Sequence, residues 1–155
     1  MLAGDPGQRA RKGGADVNAS RKHILIADND EETLIELERL LQDEGFETTT
    51  AWSTAATVEL VTNRQFDLLL VADHPPELNC EQVLRFRRKL GAQAPLIVLE
   101  TGPRHPFAEP YLLTLGASNF VHKWRQGEVK NVVLGILRDG PSASKSAVAG
   151  TTNLG

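Results

Sequence analysis

The chain predicts an α/β domain of the doubly wound kind, a parallel sheet of five strands in the order 2-1-3-4-5 with helices on both faces. Three observations lead there. Short continuous apolar runs, His23-Ile24-Leu25-Ile26-Ala27 and Leu68-Leu69-Leu70-Val71 among them, have the pattern of strands buried on both faces. These runs alternate with helical patterns, five of each, at roughly 20–25 residues to a pair. Right-handed crossovers then leave few topologies, of which 2-1-3-4-5 is the commonest at this size.

The elements follow in order. The first strand is His23–Ala27. Leu34, Leu37, Leu40 and Leu41 fall at helical spacing behind an acidic first turn, which suits the helix dipole. Gly45 ends that helix, and Phe46-Glu47-Thr48-Thr49-Thr50 has the propensity of a second strand. Ser53 is an N-cap for a helix running to Asn63. Phe66 to Ala72 is the third strand, and a third helix runs from Cys80 to Leu90, closed by Gly91. Pro95 to Leu99 is the fourth strand. Tyr111 to Leu115 belongs to a short fourth helix, weakened by Pro106 and Pro110. Asn119-Phe120-Val121 is the fifth strand, and Val129, Val132, Val133, Ile136 and Leu137 line the last helix.

Composition narrows the function classes. Of 155 residues, 41% are hydrophobic and 24% charged, and 17 Lys+Arg against 20 Asp+Glu give a net charge of −3. That balance points away from nucleic acid. One cysteine excludes an internal disulfide framework and a multi-cysteine zinc site. No apolar run approaches the ~20 residues of a membrane span, and Met1 to Gly7 lacks the apolar stretch of a secretory signal, so a cytoplasmic location without membrane contact is expected. Residues 1–20 read as a disordered arm and 139–155 as a flexible tail or added linker. The folded part is then 21–138, with no second domain and no internal repeat.

In this topology ligands meet the C-terminal ends of the strands, at the switch point between strands 1 and 3. The residues there are Asp28-Asn29-Asp30, Ala72-Asp73, Glu100-Thr101 and His122-Lys123. A phosphate or flavin site would need a first loop rich in Gly or hydroxyls. Asp28-Asn29-Asp30-Glu31-Glu32 instead carries four carboxylates in five residues, which repel phosphate and suit a hard cation such as Mg²⁺. The plainer reading of Asp30, Glu31 and Glu32 is that they cap the first helix. Asp28 sits directly on the strand end. His23, His74, His105 and His122 are scattered without metal-ligand spacing. Cys80 reads as an ordinary small residue, and Arg85, Arg87, Arg88 and Lys89 as a solvated face at the end of the third helix.

These motifs taken together resemble the response-regulator receiver domain across essentially all of 21–138. Ile24-Leu25-Ile26-Ala27-Asp28-Asn29-Asp30 is similar to the family's acidic motif after strand 1, with Asp28 on its first acid and Asn29 where the second is expected. Phe66 to Ala72 resembles its third strand. Ala72 falls on the phosphoaccepting aspartate, a register fixed by Pro76 four residues on, with Asn79 and Cys80 on the usual Asp-Gly. Glu100 takes the place of the strand-4 Thr or Ser. Gly116 to Lys123 resembles the last motif, with Phe120 as switch aromatic, Lys123 as the lysine that contacts the phosphoryl group, and Trp124 in place of proline.

The resemblance implies the flavodoxin-like (βα)5 fold and a role in two-component, phosphorelay signal transduction. The residues at the pocket oppose the chemistry. Ala72 is no nucleophile, and only Asp28 remains of three carboxylates expected around the metal. Glu100 adds a negative charge where the phosphoryl oxygens would lie. The expectation is a stand-alone pseudo-receiver, independent of phosphorylation, not an enzyme, with no cofactor and Mg²⁺ binding at Asp28 weak or absent. It would act by protein–protein interaction, through the helix 4–strand 5–helix 5 face that the resemblance maps to about Pro106–Arg138, with homodimerisation a further option.

Two alternatives stand beside it. One is a working phosphorelay receiver with Asp73 as phosphoacceptor; against it, side chains alternate along a strand, so Asp73 points away from the face of Ala72. The other is a flavodoxin-like ligand carrier or enzyme. Two details concern the pocket itself. Trp124 is either a plug over it or an exposed contact residue. Glu100 and Lys123 end neighbouring strands about 4.8 Å apart, so Glu100 is either a permanent carboxylate partner that locks Lys123 in place or, like Lys123, a side chain turned to water.

Overall fold

The computed structural model describes residues 21–91, 93–102 and 106–138. The expected arm (1–20), the expected tail (139–155) and His105 lie outside the described residues. Five strands, β1 (His23–Ala27), β2 (Glu47–Ala51), β3 (Leu68–Ala72), β4 (Leu96–Glu100) and β5 (Asn119–His122), form one sheet in the order β2-β1-β3-β4-β5. Every neighbouring pair is parallel. The helices are α1 (Glu31–Gln42), α2 (Thr54–Asn63), α3 (Cys80–Leu90), α4 (Ala108–Thr114) and α5 (Gln126–Leu137).

The apolar runs are buried as their sequence requires. Every residue of β3, and β1 from Ile24 to Ala27, is buried between helices on both sides. α1 packs beside α5 on one face, and α2 beside α3 on the other. α4 joins α3 through Arg85, which donates to the Tyr111 hydroxyl at 2.6 Å, and Arg88, which donates to the Thr114 carbonyl at 3.3 Å. On α1, Leu34, Leu37 and Leu41 are buried, while Leu40 packs at the margin of the core.

The helix ends follow their capping chemistry. Asp30, Ser53 and Asn79 cap α1, α2 and α3, each accepting a backbone N–H one turn in. Gly91 closes α3 with φ +71, a left-handed conformation that favours glycine. Pro110 lies within the first turn of α4, where its missing N–H costs no intrahelical bond.

Four strands differ in their limits from the sequence reading. β2 begins at Glu47 because the Phe46 N–H is used to close α1, on the Leu41 carbonyl. β3 begins at Leu68, since Asp67 caps the start of β1 instead, its carboxylate accepting the His23 N–H at 2.8 Å. β4 runs Leu96–Glu100 rather than Pro95–Leu99, with Glu100 still in register with His122. β5 likewise extends to His122. Helix α4 begins earlier than anticipated, at Ala108.

Leu70 is fully buried in the central strand. Leu70→Ala should cost about 3 kcal/mol of stability in urea unfolding, against a change within about 0.5 kcal/mol for exposed Thr62→Ala.

Candidate functional site

The C-terminal ends of β1, β3 and β5 converge on one buried ion pair. Asp28 follows β1 and is fully buried; Lys123 follows β5 and is 3% exposed. The Lys123 ammonium donates to Asp28 Oδ2 at 3.0 Å. The other oxygen, Asp28 Oδ1, accepts the Asp30 N–H at 3.0 Å, and the Asp28 N–H is held by the Ala51 carbonyl at the end of β2. A third group enters from the loop after β3: His74 Nε2 lies 3.2 Å from Lys123 Nζ and 3.6 Å from Asp28 Oδ1.

Ala72 ends β3, fully buried and in register with Leu99. Asp73 is the next residue and has left the ladder. Its Oδ1 accepts the backbone N–H of Cys80 at 3.1 Å, at the start of α3, the bridging part that a polar residue in this loop is suited to play. Asn29 lies between Asp28 and Asp30 in the β1–α1 loop, half-buried.

The expectation that Glu100 locks Lys123 is corrected by this geometry. Lys123 pairs with Asp28, and more distantly with Asp30 Oδ2 at 3.9 Å; its link to Glu100 is through the backbone, Lys123 N–H to Glu100 carbonyl at 2.8 Å. The register explains the difference. Glu100 stands opposite His122, and one residue further on the alternation of side chains turns Lys123 away from Glu100 and towards the crevice over β3 and β1.

Asp30 holds α1 to the site. Its Oδ2 accepts the Thr33 hydroxyl at 2.7 Å and its Oδ1 the Glu32 N–H at 3.3 Å. The Thr33 hydrogen bond, with the nearby Lys123 charge adding to it, holds the Asp30 carboxyl below its ordinary value. Glu31 and Glu32 are exposed in the first turn of α1, whose cap is Asp30. Trp124 is 62% exposed, so it does not plug the pocket; its ring lies 5.9 Å from the Lys123 ammonium and 5.2 Å from the His122 ring. Phe120 packs at the margin of the core.

Both oxygens of Asp28 are therefore already engaged, Asn29 and Ala72 offer no carboxylate, and Lys123 brings a positive charge to the remaining acid. That donor set does not fit Mg²⁺, which wants several hard oxygen ligands in octahedral geometry. Among the described residues no group of three or more His, Cys, Asp or Glu side chains is placed to hold a metal ion. A groove of about 700 Å³ lies at the opposite end of the sheet, between Asn63, Phe66, Leu90 and Gln93, remote from these residues. Sequence reading missed His74, because nothing in its spacing connects it to Asp28 or Lys123. The one available signal was its position two residues past a strand end at the switch point.

Two outcomes follow. Lys123→Met strands a buried carboxylate and should cost about 3–5 kcal/mol in denaturant unfolding, with a double-mutant coupling to Asp28→Asn well above that to Glu100→Gln. Asp30→Ala should cost about 1 kcal/mol at neutral pH. Because the folded-state pKa of Asp30 is depressed, its charge contributes above the ordinary value of 3.8 and is lost as pH falls through the folded value. The gap between Asp30→Ala and the parent should accordingly narrow below about pH 4, measured by urea unfolding at each pH.

No family model matches the chain. The response regulator SaeR of Staphylococcus aureus is 27% identical over 101 residues, 65% of this chain; the chain spans less than half, 43%, of that relative's length. A receiver domain protein of the CheY-like kind from Methanospirillum hungatei superposes with a TM-score of 0.71 at 23% identity, covering 77% of this chain and 96% of that one. The response regulator TrrA of Thermotoga maritima, solved with Mg²⁺ and beryllofluoride, gives a TM-score of 0.63 at 25% identity, over 72% of this chain and 96% of that one. The strand order and these likenesses agree: the described residues have the fold of response-regulator receiver domains.

Proposed function

We propose that the chain is a pseudo-receiver, a receiver domain of two-component signalling that works without being phosphorylated and acts by binding a protein partner. The observation that carries this reading is Ala72, buried at the end of β3 where the resemblance places the phosphoacceptor, with no nucleophile on its side chain. The Asp28–Lys123 pair supports it, since the acid that would serve a metal is committed to an ammonium. On this reading Mg²⁺ binds weakly or not at all, and the protein has no catalytic activity of its own.

Asp73 is the competing phosphoacceptor. Its bond to the Cys80 N–H speaks for a structural part in the β3–α3 loop. Incubation with a small acyl phosphate and Mg²⁺, followed by intact-mass measurement, separates the two readings: the pseudo-receiver gives no phospho-adduct, and an adduct lost in Asp73→Ala would establish the alternative. Ala72→Asp alone should label negligibly, because Asn29 and Glu100 remain. Labelling should become measurable only when Asn29→Asp and Glu100→Thr are added. Calorimetry should find no sub-millimolar Mg²⁺ binding in the parent chain.

The partner surface assigned by this reading is the α4–β5–α5 face, where Phe107, Tyr111, Leu113 and Trp124 are exposed. Large exposed apolar side chains favour protein contact over a free solvated surface. None of the described helices is long and apolar enough to cross a membrane. Phe107→Ser with Trp124→Ser should abolish capture of the partner while leaving the unfolding midpoint unchanged. If the partner is a second copy, the same pair of changes should abolish concentration-dependent sedimentation.

A further inference from the structure

His74 is the one side chain in the pocket that neither the sequence motifs nor the proposed function accounts for. The Lys123 ammonium has three hydrogens and no lone pair, so it can only donate. A 3.2 Å approach to His74 Nε2 is therefore a hydrogen bond only if Nε2 carries the lone pair and the ring proton sits on Nδ1. The competing arrangement has an Nε2–H donating to Asp28 Oδ1. That separation is 3.6 Å, beyond hydrogen-bond range, and Oδ1 already accepts the Asp30 N–H.

His74 also belongs to a loop fastened at several other points. His74 and Leu78 exchange two backbone hydrogen bonds, at 2.8 and 3.1 Å. Leu78 is fully buried. The Glu77 carbonyl accepts the Thr54 N–H, the Asn79 N–H bonds the Thr54 hydroxyl, and Asp73 takes the Cys80 N–H. From this loop the imidazole reaches the Asp28–Lys123 pair.

We propose that His74 is a latch: its unprotonated Nε2 accepts a hydrogen bond from the buried Lys123 ammonium and so fixes the β3–α3 loop over the pocket. It is a positioning residue. The proposal rests on the pseudo-receiver reading and deepens it, because a loop fastened from inside the pocket needs no phosphoryl group to set its conformation.

The test is long-range ¹H–¹⁵N NMR of the full chain labelled at histidine, at pH 7.5, with His74 assigned by the signals lost in His74→Leu. The expected result is the Nδ1–H tautomer at His74, with Nε2 at the shift of an unprotonated ring nitrogen. Lys123→Met should abolish that signature. Amide exchange of His74, Leu78 and Cys80 should accelerate about tenfold in His74→Leu and stay slow in His74→Gln, whose side-chain carbonyl is an acceptor. An Nε2–H tautomer or an imidazolium in the parent chain overturns the latch, and so does unchanged loop exchange in His74→Leu. The tautomer result needs no variant to fold. A phospho-adduct in the mass experiment would overturn the pseudo-receiver reading while leaving the tautomer result standing, so the two failures are distinguishable.

Discussion

The Asp28–Lys123 ion pair is the constraint on which the rest of the crevice depends. It joins the first strand to the last across the ends of β3 and β4, in an environment where neither charge reaches water. Burying two charges is tolerable only when the remaining lone pairs and protons are satisfied. Here the backbone N–H of Asp30 and the ring of His74 meet that need. The consequence propagates outwards. Asp30 must present its N–H to Asp28 and its carboxylate to Thr33 at once, which fixes where α1 begins. His74 must reach Lys123, which ties the path of the loop before α3 to the same pair.

The scaffold and the pocket respond differently to sequence change. β1, β3 and β4 are held by apolar side chains packed between helices, Ala72 among them. The small side chain at position 72 continues the burial of β3. On the pseudo-receiver reading proposed above, the fold of a receiver persists beside a pocket whose donor set has been altered.

Much of this was legible in the residues. The apolar runs of β1 and β3, the cap Ser53 and the closing Gly91 act locally, and each stands where its chemistry placed it. Strand limits slipped by one or two positions where a backbone group or carboxylate at the boundary had another partner, as with the Phe46 N–H and Asp67. In the pocket, Asp28 and Lys123 were legible because they sit directly on strand ends. Their partnership was not, because spacing between strand ends gives the distance between backbones and not the direction of a side chain. Glu100 lies beside His122, and the lysine one residue later points elsewhere. His74 lay beyond reach for a related reason: a loop conformation set by several long-range hydrogen bonds leaves no periodic trace in the chain.

The placement of the tryptophans has a practical side. The chain has two, and they follow β2 and β5, the two edge strands, so both stand on the rim at the C-terminal end of the sheet. Trp52 is 52% exposed and Trp124 is 62% exposed. The intrinsic fluorescence of the protein is consequently an optical readout of that rim and of nothing in the apolar interior. Trp124 sits beside a protonatable imidazole and an ammonium, and Trp52 leads into the helix cap at Ser53. Emission and quenching from these two indoles therefore sample opposite edges of one surface without any added dye.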